Sequence, residues 1–166
     1  MPVETNVSVN CLLIPLLRFS VVVPVSTTVE VYRLNRRVHW RRGNNCMLGE
    51  IQWRGQVLPV VTLDEVEYTN VDHPDHAALV VIMRSLLSKT EPRLYALSTC
   101  DVPKLLHVDA HNTDVASNPS VSHAYANGYL QVNGESAMIP DLEKLEGVLT
   151  TALRQQRAQR DALVEA

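Results

Sequence analysis

Cysteine is scarce in this 166-residue chain, and its pattern excludes as much as its number does. Only Cys11, Cys46 and Cys100 occur, an odd count with no CxxC spacing, so neither a disulfide framework nor a cysteine zinc site fits. They read as free thiols in a reducing compartment. Glycine is also sparse: the six glycines are too scattered for a GxGxxG dinucleotide fingerprint or a GxxxxGK[ST] phosphate loop, and no GxSxG elbow is present. Excess positive charge is missing too. The formal net charge is -3, so no global field gathers phosphates, and nucleic-acid binding would have to rest on a local patch. Long apolar runs are lacking. The run from Cys11 is broken by Pro15, Arg18 and Pro24, well short of the roughly 20 residues of a helical membrane span, and no basic residue precedes it. Neither a signal peptide nor membrane insertion is expected, and the reading is a cytoplasmic protein.

The chain does contain enough apolar residues for a core. Hydrophobic residues make up 46% against 20% charged, which supports one compact domain or two small halves sharing an interface. Short runs rich in β-branched residues recur, beginning with 11–16 and 19–25, and their length suits buried strands. A hairpin is expected from 49–53 and 56–63 around Arg54-Gly55, where glycine can take the positive φ of a tight turn. Pro59 inside its second strand donates no ladder hydrogen bond, so that strand should be an edge or carry a bulge. Residues 77–84 and 93–99 form another strand pair around a polar linker at 88–92. Asn133-Gly134, between 128–132 and 135–139, is the strongest turn signal, because both residues tolerate the left-handed backbone of a type I′ turn.

Residues 109–125 are mostly small and polar and read as an exposed, mobile loop. After Pro140 the period changes: Leu142, Leu145, Leu149 and Leu153 recur three or four apart, with Asp141 able to cap a C-terminal helix. Beyond Leu153 the segment is mostly polar and should project from the body or fray. One internal echo links 55–63 with 134–142, each placing a hairpin glycine before an apolar strand, a proline and a leucine, in keeping with a two-lobed architecture.

Two places could carry chemistry. Asp72-His73-Pro74-Asp75-His76 holds imidazoles and carboxylates close enough for a transition metal, but the proline prevents a helix from aligning both histidines, so a solvated loop is favoured and no metal is assigned. The basic run Arg33, Arg36, Arg37, Arg41 and Arg42, with His39 and Trp40, could meet phosphates and bases, an acidic protein, or only solvent. On these residues alone, two function classes stay open: a small metal-dependent enzyme using His73 and His76, and a nucleic-acid-binding β domain using Arg33 to Arg42. Asp64 and Glu65 lack an accompanying base or nucleophile and read as a polar pair ending a strand.

The segment Met47-Leu48-Gly49-Glu50-Ile51-Gln52-Trp53-Arg54-Gly55-Gln56-Val57-Leu58-Pro59-Val60-Val61-Thr62-Leu63 resembles the signature of the CheW-like chemotaxis coupling family, an apolar-Gly stretch leading into Asn-Leu-Arg-Gly and then Pro-Val-x-Asp-Leu. The order of the remaining segments agrees. Residues 19–34 look like the family's strand-then-helix opening, 78–108 like its strand, hairpin and Val-Asp-x-Val segment, and 128–145 like its closing stretch ending in DLEKLL. Departures are Gln52-Trp53 for Asn-Leu, Thr62 for the aspartate, and Cys100 where Val-Asp-x-Val has its own, with Asp101 one place later. Such divergence resembles the accessory coupling proteins of type IV pilus chemosensory systems, of the ChpC type.

The resemblance implies an all-β fold with short helices: two five-stranded β-barrel subdomains plus a C-terminal helix. It implies a flexible N-terminus over 1–10, the CheW-like domain over 11–149 and a helical tail over 150–166. It implies a non-enzymatic adaptor without catalytic residues, metal or cofactor, with the metal-dependent enzyme and the nucleic-acid-binding domain as alternatives. The adaptor's partners would be the regulatory domain of a CheA-like histidine kinase and the cytoplasmic tip of a methyl-accepting chemoreceptor, with no nucleic acid. Glu30, matching the glutamate of the family's first helical stretch, together with Gly49, Arg54 and Gly55, is implied to be partner-binding. The output would be flagellar chemotaxis or pilus-driven twitching motility through a two-component system.

Overall fold

The computed structural model describes residues 7–34, 39–40, 46–64, 79–87, 91–115 and 123–165, without side-chain detail at 39–40. Twelve strands and one α-helix occur among them. The strands are β1 (Val9–Pro15), β2 (Ser20–Pro24), β3 (Thr28–Arg33), β4 (His39–Trp40), β5 (Met47–Trp53), β6 (Gln56–Val61), β7 (Leu79–Arg84), β8 (Leu94–Thr99), β9 (Lys104–Val108), β10 (Thr113–Val115), β11 (Ala126–Val132) and β12 (Glu135–Pro140). The helix, α1, covers Leu142–Val164.

The strands form two six-stranded sheets, ordered β10-β11-β12-β2-β1-β9 and β3-β7-β8-β6-β5-β4. The chain starts in the first unit, builds the whole second unit, and returns to finish the first. The architecture is therefore mainly β, in two units with a C-terminal helix, as expected. Among the described residues each sheet has six strands rather than five, because the two- and three-residue strands β4 and β10 extend one edge of each sheet.

The alternating direction of strand side chains partitions the apolar runs among three cores. Val81 and Met83 of β7, with Tyr95 and Leu97 of β8, point to a core between the two units, joined by Ile14, Val21, Val23 and Met138. The intervening residues Val80, Ile82 and Ala96 point the other way, into a core inside the second unit with Leu48, Ile51, Trp53, Leu58 and Val60. Cys11, Leu13, Val22 and Ala137 fill the first unit. This is why both β7 and β8 are nearly continuous apolar runs: each face of the pair is buried.

Helix α1 seals the central core. Leu142, Leu145 and Leu149 are buried there, each contributing roughly 1.5–3 kcal/mol of apolar burial. Asp141 caps the helix by accepting from Lys144 N at 3.1 Å. The polar half beyond Leu153 continues as helix to Val164 with mostly exposed side chains; Gln156 and Arg157 still reach Met47 and Glu91, and the turns after them project.

Several local expectations change. Glu30 lies in strand β3, not in a helix: only Val25–Thr27 forms a single 3-10 turn, and the run Thr28-Val29-Glu30-Val31-Tyr32 is rich in β-branched and aromatic residues that favour extension. Strand β6, which carries Pro59, is interior in sheet order rather than an edge. Its neighbour β8 pairs only with Val60 and Val61, however, so the side of β6 away from β5 is unpaired up to Pro59, and the β5–β6 register shifts between Met47 and Gly49. The polar stretch 109–125 is not a plain exposed loop: Thr113–Val115 pairs with β11, and His123 is buried. Residues 116–122 of that stretch lie outside the described residues.

Candidate functional site

The expected Arg54-Gly55 turn is present at the β5–β6 tip. Arg54 and Gly55 have φ of 47° and 75°, consecutive left-handed residues whose twist suits a two-residue hairpin. Glycine meets this demand without cost, and nothing lies within 4 Å of where a Cβ at Gly55 would sit. Arg54 accepts a less natural backbone, and its guanidinium is held from two sides. Nη2 lies 2.9 Å from Glu30 Oε2, and the guanidinium carbon stands 4.8 Å from the centre of the Trp53 ring.

Glu30 is the hub of this corner. Its second oxygen, Oε1, accepts from the indole Nε1 of Trp53, whose ring is buried in the core of the second unit. One carboxylate thus satisfies a buried donor and an exposed cation together, and it ties the edge strand β3 to the β5–β6 hairpin. The Arg54 side chain is 67% exposed against 30% for Glu30, so the outward surface of the corner is cationic.

The structure brings Glu30, Arg54 and Gly55 together. Gly49 is elsewhere: it is buried within β5, paired with Trp40 on one side and Val60 on the other, beside the register shift. It shapes the strand that carries the tip and presents no surface of its own. The Asp72–His76 cluster, and Arg36, Arg37, Arg41, Arg42 and Glu65, lie outside the described residues. Among the described residues no group of three histidine, cysteine, aspartate or glutamate side chains is placed to hold a metal ion. No described helix is long and apolar enough to cross a membrane.

Polar ties join the two units at their seam. Leu17 N donates to Asp64 Oδ1 at 3.0 Å, and Cys100 N and Thr99 Oγ1 both donate to the Pro15 carbonyl. His123 Nε2 lies 2.7 Å from the Leu63 carbonyl while its Nδ1 accepts from Tyr125 N, which places the ring proton on Nε2. Burial pushes the Asp64 carboxyl above its ordinary range, opposed by the Leu17 amide and by the nearby Arg18 charge. Burial likewise raises the Cys11, Cys46 and Cys100 thiols, so none is activated as a nucleophile.

A second constellation was missed by sequence reasoning. Glu146 of α1 is 1% exposed, yet it accepts from Ser85 Oγ, Leu86 N, Leu87 N and Tyr95 Oη, all between 2.9 and 3.2 Å. Burial, and then the Glu146 charge, hold the Tyr95 phenol far above its usual range, so it stays a donor. The signal was available. Glu146 falls on the apolar seam between Leu142 and Leu149, where the closing motif DLEKLL has its final leucine, and a charge there requires partners.

Comparison with known proteins agrees with this architecture. A family model described as the CheW-like domain matches residues 11–147. Among solved structures, the scaffolding protein TtCheW from Thermoanaerobacter tengcongensis is similar, with a TM-score of 0.61 and 13% sequence identity. The match covers 81% of this chain and 89% of that one. At that identity the likeness concerns the fold alone. No curated protein sequence matches significantly.

Proposed function

The chain belongs to the CheW-like domain family, and from that premise we propose that it is a non-enzymatic adaptor coupling a CheA-like histidine kinase to chemoreceptors. One protein surface meets the kinase's regulatory domain and another meets the cytoplasmic tip of the receptor. No bond is made or broken. Coupling arises because the two binding equilibria are linked, so a receptor state with higher affinity for the adaptor shifts the population of kinase states. In an array, neighbouring contacts become effectively intramolecular and add avidity.

The observation that carries this reading is the family match across residues 11–147 combined with the geometry of the β5–β6 tip. There an arginine is oriented by Glu30 and Trp53 and still turned two-thirds to solvent, an arrangement suited to recognising a carboxylate or a backbone carbonyl on a partner. Glu30, Arg54 and Gly55 are the proposed partner-binding residues, with Gly49 acting through the strand it shapes. The departures Trp53 and Thr62 favour a specialised system of the ChpC type, serving pilus motility in the cytoplasm.

The test is calorimetry with the purified chain, titrated separately with the regulatory domain of a CheA-like kinase and with a receptor cytoplasmic hairpin from the same organism. Micromolar or tighter association with both is expected. Absence of binding to either one at those concentrations sinks the proposal.

A further inference from the structure

Glu146 does more than satisfy itself: it fixes the backbone of an exposed apolar residue. Both carboxylate oxygens accept from Leu86 N, at 3.1 and 2.9 Å, and Oε2 also accepts from Leu87 N and Ser85 Oγ. Ser85 Oγ in turn accepts from Leu87 N, and Ser85 N donates to the Arg93 carbonyl across the hairpin neck. The segment that leaves β7 is therefore clamped at three successive residues by one buried side chain. Thr150 Oγ1, one helical turn along α1, adds a bond to the Glu91 carbonyl on the return side.

The side chain that this clamp presents is Leu86. It is 48% exposed and belongs to none of the three apolar clusters. An exposed leucine on a loosely held loop would need no comment. Here, however, a buried charge is used to hold its backbone still, and a pre-ordered apolar side chain loses little entropy when a partner covers it.

The surroundings set the kind of partner. On α1, Arg154 lies one turn beyond Thr150 and Arg157 two turns beyond, on the face directed at the clamped segment, and both are exposed. Across the hairpin neck, Arg93, whose carbonyl accepts from Ser85 N, is exposed. Against these stands Glu91, 3.8 Å from Arg157 in a pair open to solvent on both sides. Positive charge dominates the rim.

We propose that Leu86, clamped by Glu146 and bordered by Arg93, Arg154 and Arg157, is a docking knob for a partner protein carrying an apolar slot edged with carboxylates. This rests on the adaptor reading and adds to it a contact on the β7–β8 hairpin, whose turn lies at the same end of the sheet as the Arg54 tip because β6 and β8 run parallel. The apolar knob supplies affinity, and the arginine rim supplies orientation and selects against cationic surfaces.

Calorimetry of the full chain against the kinase regulatory domain and the receptor hairpin separates the outcomes. Leu86→Ser is expected to weaken one of the two partners at least tenfold with an unchanged melting temperature, while Leu86→Met retains binding. Arg157→Glu should weaken the same partner, and raising the salt concentration should narrow the difference between it and the unaltered chain. Full-strength binding of Leu86→Ser to both partners overturns the knob and leaves the adaptor reading intact. If the unaltered chain binds neither partner, both readings fall together.

Discussion

Glu30 and Arg54, 24 residues apart in sequence, meet at 2.9 Å, and the same carboxylate that steadies the exposed guanidinium also satisfies the buried indole N–H of Trp53. The two functions of this one side chain separate by exposure. The arginine pair is largely in water and contributes at most about 1 kcal/mol to stability. The indole bond is half-buried, and its loss leaves a donor unsatisfied at a cost of about 1–3 kcal/mol.

Arg54→Glu is therefore expected to leave the circular dichroism spectrum and melting temperature nearly unchanged while weakening partner binding. Glu30→Ala should instead lower stability in a urea titration, with Glu30→Gln recovering part of the loss because its carbonyl can still accept from Trp53. A large loss of stability in Arg54→Glu would make the arginine a structural turn residue.

The left-handed backbone at Gly55 gives a second expectation. With open space around the position, substitution is penalised only by its φ of 75°. Gly55→Ala should cost about 1 kcal/mol, and Gly55→Asn less, because asparagine tolerates this region better. Equal stability of all three variants would show that the tip relaxes to another turn.

How much of the fold and the site is legible in the sequence depends on the range of each interaction. The hairpin at Asn133-Gly134 is a local matter of which residues accept positive φ, and it is present with φ of 51° and 82°. The apolar run at 79–83 is legible as a strand, but which of its side chains face the other unit and which face inward depends on strands far away in sequence. Likeness to a family pattern puts Glu30 in a helix, whereas its own neighbours favour extension. His123 sits in a polar stretch of small residues, and nothing local shows that its ring reaches back 60 residues to Leu63. Glu146 is the clue that local pattern did contain, a charge on an apolar helical stripe.

Asp64 supplies a pH dependence whose sign can be worked out. Burial raises its folded pKa above the ordinary 3.8, so the protonated form is the one the fold favours. Its contribution is fully present below the unfolded value and is lost as pH rises through the folded one, leaving the ionised group a net cost at neutral pH. Asp64→Asn retains an oxygen to accept from Leu17 N. The variant should melt at or above the unaltered protein at pH 7, with the advantage shrinking as both are taken below about pH 4. A lower melting temperature at pH 7 would mean that the Leu17 amide and the attraction to Arg18 outweigh burial.

The steepest loss of stability is expected at Glu146. Removing this side chain takes the carboxylate acceptor away from the Leu86 and Leu87 amides, the Ser85 hydroxyl and the Tyr95 phenol, and Tyr95 is fully buried. Glu146→Ala should cost about 3–5 kcal/mol, as when one partner of a buried charged network is deleted. Glu146→Leu fills the space with apolar atoms but supplies no acceptor, so it should recover only the packing share of that loss. Glu146→Gln keeps one carbonyl for the Leu86 amide and presents an amide nitrogen to hydroxyls that can accept, so its cost should be less than half that of alanine. Amide exchange distinguishes a clamp from a simple core position: in Glu146→Gln the Leu86 and Leu87 amides should exchange faster while those of Val81, Ile82 and Leu97 keep their protection. Uniform acceleration at all of these sites would mean that Glu146 stabilises the fold as a whole and holds no particular segment in place.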